Sequence, residues 1–467
     1  MKTERRIKES PEVSRSAVLL AVCSALFLMP FMVSAVAVSL PRIGWDLGAT
    51  AMQIGLVETL YVSSAAVFLL IMGRAGDICG HRRVFVWGVL LFCTVTGLMA
   101  LSVSIEMLIG LRFFQGMGAA MINAGSLAIV VSVFPARERG RVLGICAAAV
   151  YAGISFGPLI GGLLTTAWGW RSVFLPAVVL GLFSWLLAIA KIKAEWHESA
   201  GEPFDWKGSL IFALGILSLI FGGSHLDEGR WACGLVATGF AALALFAAVE
   251  ARSDYPLLNI GLLKNNRMFT LSNIAALINY GATFGVIFYM GLYLQYVKGM
   301  TPRTAGLVMM AQPLVQMFLA PIGGRLADRY PAARVATGGM IVSGIGVLLA
   351  STIEAQTSVA AVLGTLVLLG LGFAFFSSPN TSLIMGSLEK RYLGLASGMT
   401  GTMRTLGMTL SMVIVTLSFS IFMDNQAVTA ETTPAFMRSM HIDLAVFGGL
   451  CLAGVSCSLA RFTVPVR

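Results

Sequence analysis

Fourteen stretches of roughly 20 apolar residues, separated by short polar segments, constrain this chain more than any other feature. A bilayer core about 30 Å thick is crossed by about 20 helical residues, and backbone amides within it must be satisfied inside the segment. The expected fold class is therefore an all-α polytopic membrane protein. Composition agrees. Of 467 residues, 57% are hydrophobic and 12% charged, with a mean hydropathy of +0.85, far from a soluble domain near half apolar and a quarter charged. The first run, 17–40, is too long for a signal-peptide core and reads as the first span.

The formal net charge of +10 would suit an anionic partner, but its distribution argues otherwise. Basic residues alternate from loop to loop, and with the N-terminus inside most of the 32 Lys and Arg fall on one side. That asymmetry is the positive-inside rule; it places both termini in the cytoplasm and explains the basic balance without nucleic acid. The seven cysteines (Cys23, Cys79, Cys93, Cys146, Cys233, Cys451, Cys457) are scattered, mostly within spans, without paired spacing. They read as small packing residues, with no disulfide framework or metal site. There is no HExxH, no P-loop and no dinucleotide fingerprint, and the four histidines are dispersed. An enzyme, an ATP-driven pump and a bound cofactor are not expected.

Residues 73–83, GRAGDICGHRR, form a short charged hinge between the second and third spans. Gly73, Gly76 and Gly80 permit close approach and positive φ, and Arg74, Arg82 and Arg83 hold the hinge on the cytoplasmic side. A degenerate second copy, Gly324-Arg325-Leu326-Ala327-Asp328-Arg329, follows the tenth span. The fourth span carries Arg112, then Gln115, Gly116, Gly118, Ala119 and Ala120. The fifth carries Gly153, Gly157, Pro158, Gly161 and Gly162. Small residues four apart let helices approach, and Pro158 frees a carbonyl and bends the helix, so this span reads as a seam about which two states repack. In the thirteenth span, 393–422, Gly394, Gly398, Gly401 and Gly407 answer it.

These residues resemble the major facilitator superfamily. Gly73, Asp77, Gly80, His81, Arg82 and Arg83 fill its G-x-x-x-D-x-x-G-R/H-R/K-R/K signature, and the Arg112 run is similar to its second motif. The G-x-x-x-G-P-x-x-G-G run of the fifth span resembles the motif associated with antiporters. The central pair of spans and the wording of the fifth and thirteenth narrow the resemblance to the fourteen-helix drug:H+ antiporter family, whose members export lipophilic and often cationic compounds. It covers essentially the whole chain. It implies two pseudo-symmetric six-helix bundles, each a pair of inverted three-helix repeats, plus two extra central transmembrane helices. On that plan 1–15 is a cytoplasmic tail, 16–191 the N-terminal bundle and 192–266 a linker with two inserted spans, at 207–221 and 231–249. The C-terminal bundle is 267–462 and 463–467 the cytoplasmic C-terminus. The expected setting is the cell inner (plasma) membrane, with the protein acting as a monomer and protons as the coupling ion.

Three ionisable residues fall well inside spans: Glu58, the only acid so placed, with Arg112 and Arg404. Charges there are costly and are functional hypotheses by default. Counted from the outer helix ends, Glu58 and Arg112 lie roughly 8 to 10 Å deep and could share an aqueous cavity. Desolvation favours the neutral form of Glu58 and a guanidinium its charged form, so changing access would change proton affinity. Glu58 reads as proton carrier and Arg112 as its tuning charge; a fixed structural pair, or an acid hydrated near the surface, is the plain alternative. Many family members carry an acid in the first helix, yet no Asp or Glu occurs between Glu12 and Asp46. That omission fits a neutral, zwitterionic or anionic substrate better than a dication.

Arg404, near the midplane, either meets an anionic substrate group or bonds carbonyls of a neighbouring helix. Gly73, Arg74, Asp77, Arg82, Arg83 and Asp328 read as a conformational latch between halves, with a solvated turn as the alternative. Tyr61, Asn123, Tyr151, Asn279, Tyr280, Gln312, Gln316 and Asn380 are candidate cavity walls, each equally readable as interhelical glue. The function expected is proton-coupled antiport, exporting lipophilic drugs or similar amphipathic molecules by alternating access. The alternative is a lipid or amphipathic-metabolite exporter or flippase, weakly coupled or uncoupled, with the central pair framing a lateral opening to the bilayer.

Overall fold

The computed structural model describes residues 14–197, 199, 201–224, 229–423 and 432–463. The expected N-terminal tail therefore lies almost wholly outside the described residues, as does most of the C-terminal one. Fourteen described helical segments are long and apolar enough to cross a bilayer. The first half comprises α1 (Arg15–Leu47), α2 (Ala51–Cys79), α3 (His81–Ala100), α4 (Ile105–Val133), α5 (Arg139–Trp168) and α6 (Phe174–Lys191). Two central helices follow, α7 (Trp206–Ser224) and α8 (Arg230–Glu250), and a short α9 (Ile260–Asn265). The second half is α10 (Arg267–Leu292), a span broken into α11 (Pro302–Met309) and α12 (Ala311–Arg329), then α13 (Ala332–Ala350), α14 (Val359–Gly386), α15 (Leu393–Met423) and α16 (Thr433–Leu459).

The two halves repeat one packing plan. In the first, α1 lies against α5 and α6, α2 against α4, and α3 against α4 and α6. In the second, α10 lies against α15 and α16, α12 against α14, and α13 against α14 and α16. The halves meet along two seams, α5 with α12 and α2 with α15. The hairpin of α7 and α8 sits outside this frame, with α7 touching both α2 and α15.

Local chemistry moves several expected boundaries. The first helix does not stop near residue 40 but runs through Pro41 to Leu47. An Arg42–Asp46 ion pair of 3.3 Å spans one turn there, and Gly48 ends the helix in the left-handed region at φ 62. Thr50 and Gln53 form a reciprocal capping box at the start of α2. The hinge at 73–83 is almost entirely helical: only Gly80, at φ 110, separates α2 from α3, so Gly73 and Gly76 supply close approach rather than positive φ. The tenth span breaks at Met310, where Pro313 lacks the N–H that would bond the Met309 carbonyl. The last helix starts at Thr433, with Pro434 in its first turn. Asp443 therefore lies inside a span.

Candidate functional site

Within the first half, Arg112 is fully buried and its Nη2 donates to Glu58 Oε1 at 2.5 Å, while the Glu58 side chain keeps 25% of its surface exposed. Arg112 Nη1 donates to Gln115 Oε1 (2.9 Å), and Gln115 Nε2 donates to Thr96 Oγ1 (2.8 Å). Tyr61 lies under the guanidinium, 4.9 Å from ring centroid to Cζ. A chain of polar groups thus runs from α2 through α4 to α3. The glycines of the same motif make it possible: a Cβ on Gly116 would sit 2.9 Å from Ser64 Cβ, and one on Gly118 3.0 Å from Phe92 N. The helices touch so closely only because these positions are bare.

At one end of the bundle, two carboxylates cross between the halves in a symmetric way. Asp77, at the end of α2, accepts from the Gly394 and Leu395 amides (2.7 and 3.0 Å), the first turn of α15. Asp328, at the end of α12, accepts from the Gly140 and Arg141 amides (both 2.7 Å), the first turn of α5. Each acid satisfies orphan N–H groups and complements the positive end of a helix dipole. Close glycine contacts accompany both, Gly73 with Gly394 and Gly140 with Gly324.

The basic hinge residues do something else. Arg74 pairs with Glu202 (2.5 Å), Arg82 Nε donates to the Ile192 carbonyl and the Arg82 amide to Glu195, and Arg83 reaches Glu195 at 3.8 Å. The expected latch therefore divides: Asp77, Asp328 and Gly73 bridge the halves, whereas Arg74, Arg82 and Arg83 fasten the 192–205 strap. That strap also bonds the hinge backbone, His81 N to Trp196 O (3.1 Å) and Ser199 N to Asp77 O (3.2 Å). Its acids at 195 and 202 were the available sequence signal, opposite in sign to the hinge.

Other candidates separate similarly. Gly153 and Gly161 lie against α1, with a Cβ on Gly161 2.8 Å from Ala35 Cα, and Ser34 Oγ donates to the Gly153 carbonyl at 3.4 Å. Gly157 also faces α1, at Ser34 and Phe31, while Gly162 meets only Val38. The Pro158 segment is thus a seam within the first half; the seam between halves uses Gly140 and Gly144 instead. Asn380 is glue rather than wall: its Nδ2 donates to Ser272 O and its Oδ1 accepts from Arg461 Nη1, all buried. Asn279 is buried within α10, and neither side-chain polar atom has a described partner. Asn123, Gln312 and Gln316 are also buried, and Ser397 Oγ reaches across to the Asn123 carbonyl at 3.1 Å.

Tyr151 and Tyr280 do converge, from opposite halves. Their hydroxyls reach Ser377 Oγ at 3.3 and 3.4 Å, and both rings lie edge-on to Phe373. Arg404 is partly buried and makes no hydrogen bond or ion pair among the described residues, so the carbonyl-bonding reading finds no support.

A second embedded acid corrects the expectation that Glu58 is alone. Asp443 on α16 is 4% exposed and accepts from the Tyr289 hydroxyl at 2.5 Å; Tyr289 also meets Ser439, which meets Ser418, both at 2.9 Å.

The repeated six-span plan has counterparts in known proteins. A family model described as Major Facilitator Superfamily matches residues 22–412. The chain belongs to that superfamily. It is 28% identical over 438 residues to the riboflavin transporter RibZ of Clostridioides difficile, covering 94% of this chain and 95% of that protein. It is also 28% identical to the multidrug efflux pump LfrA of Mycolicibacterium smegmatis (92% and 86%) and to the multidrug resistance protein Stp of Mycobacterium tuberculosis (86% and 76%). The human organic anion transporter MFSD10 superposes with a TM-score of 0.69 over 96% of this chain and all of that one; at 13% identity the likeness is one of fold. The protein is a multi-pass membrane transporter of this superfamily and not an enzyme.

Proposed function

We propose that this transporter is a proton-coupled antiporter, exporting lipophilic or similar amphipathic small molecules by alternating access. The observation that carries the reading is the Glu58–Arg112 pair: one fully buried cation joined to one acid that keeps a quarter of its surface accessible. Protonating Glu58 removes its attraction to Arg112, and restoring the pair expels the proton. A carboxylate so placed can exchange a proton for substrate when access alternates. The pair is remote from the end where Asp77 and Asp328 tie the halves together, so the coupling acid lies on the side away from the closed latch. On this reading the latch end is cytoplasmic, as are both termini, in the cell inner (plasma) membrane. The protein works as a monomer with protons as its coupling ion and no other cofactor. Relatives named for multidrug efflux support export. The packing of α7 against both α2 and α15 speaks against a lateral opening framed by the central pair, which the flippase alternative would use.

The test is proton release from purified protein in weakly buffered detergent on adding a lipophilic compound, with Glu58→Gln as comparison. Release that vanishes in the variant supports the reading. Equal release from both proteins moves the carrier elsewhere, and binding without release favours uncoupled transport.

A further inference from the structure

Arg404 lies about eleven residues into α15, roughly 16 Å along its axis. A guanidinium stays charged under all relevant conditions, so its environment must answer that charge. The other embedded charges are either engaged or sealed within one half. Arg112 has Glu58, while Arg461 is sealed within the second half, donating through Nη1 to Asn380 with its Nε and Nη2 unpartnered among the described residues. Asp443 holds Tyr289, Glu250 accepts from the Leu258 amide, and Asp77 and Asp328 cap helices. Arg404 lies on α15, a helix of the α2–α15 seam between the halves, and has no hydrogen-bond or ion-pair partner among the described residues. Its neighbours Met403 and Leu406 pack against the apolar cluster of the first half.

We infer that the transported substrate is an amphipathic anion whose acid group docks on Arg404. The inference rests on the reading that the seam between the halves is the transport path. An unanswered cation at membrane depth is costly, and an oxyanion matches the guanidinium's planar donors. A cationic substrate meets no unpaired acid among the described seam residues and would be repelled by Arg404.

The test compares three ligands sharing one aromatic body: 1-pyrenebutyrate (anion), 1-pyrenebutanamide (neutral) and 1-pyrenebutylamine (cation), binding to purified full-length protein in detergent at pH 7.5 by fluorescence anisotropy. Wild type is expected to bind the butyrate about tenfold or more tightly than the amide, one well-made charged contact, and the amine most weakly. Arg404→Gln should bring the butyrate down to the amide's affinity and leave the amide unchanged; Arg404→Lys should keep part of the preference. A wild type that prefers the amine, or binds butyrate and amide alike, overturns the inference on its own, without recourse to a variant, and leaves the transport reading standing. An undiminished preference in Arg404→Gln overturns it equally. A wild type that binds none of the three sinks both the inference and the amphipathic-substrate reading. The proton-release comparison tests coupling separately.

Discussion

Replacing Asp77 with Asn keeps the shape of the side chain and removes what the structure uses. The carboxylate accepts two amide bonds from the first turn of α15, at 2.7 and 3.0 Å, while 1% exposed. Hydrogen bonds to a charged group contribute about 1.5–3 kcal/mol each, against about 1 for neutral ones. An Asn can accept only one of them, without charge, and presents its NH2 to the other donor. The closed latch should lose at least about 2 kcal/mol, about thirty-fold in the ratio of closed to open. Spin labels at Arg137 and Lys390, both exposed at the latch end, in a background with the seven free cysteines replaced, report this as a longer distance in pulsed dipolar spectra. Asp328→Asn should act alike, because it removes the same pair of bonds at α5. The two changes should add in free energy, since the sites share no partner. Unchanged distances in both variants would refute the view that acid-capped helix ends hold the halves together.

Gly73→Ala should open the same end in the same assay. Its Cβ would sit 3.0 Å from the Gly394 carbonyl carbon, a backbone atom that cannot turn aside, whereas Gly55→Ala meets nothing within 4 Å and should be silent. Tyr289→Phe should lower thermal stability in detergent by about 1–3 kcal/mol, the cost of leaving the buried Asp443 acceptor without its donor. The loss should shrink sharply in an Asp443→Leu background; an equal loss there would show that the hydroxyl acts elsewhere.

Fourteen apolar runs, their alternating loop charge and the two hinge copies determine the superfamily and its six-plus-two-plus-six plan without coordinates, because a bilayer admits few solutions and fixes the length of each element. Glu58 and Arg112 were legible for the same reason: a charge in an apolar run has few innocent explanations. Which charges meet was decided only by tertiary structure. Asp77 and the hinge arginines are neighbours in sequence, yet the acid crosses to α15 and the arginines turn to the strap at 192–205. Gly153 and Gly144 look alike in sequence; one packs within its half and the other across the seam. Asp443 escaped because the unbroken apolar run of the last helix begins only after it, whereas the helix itself starts nearly three turns earlier, at Thr433. Its burial depends on Tyr289, more than 150 residues earlier. Helix length and depth are properties of a segment and its solvent, so sequence carries them. Partner choice depends on how the helices rotate and approach, and that is set by packing across the whole bundle.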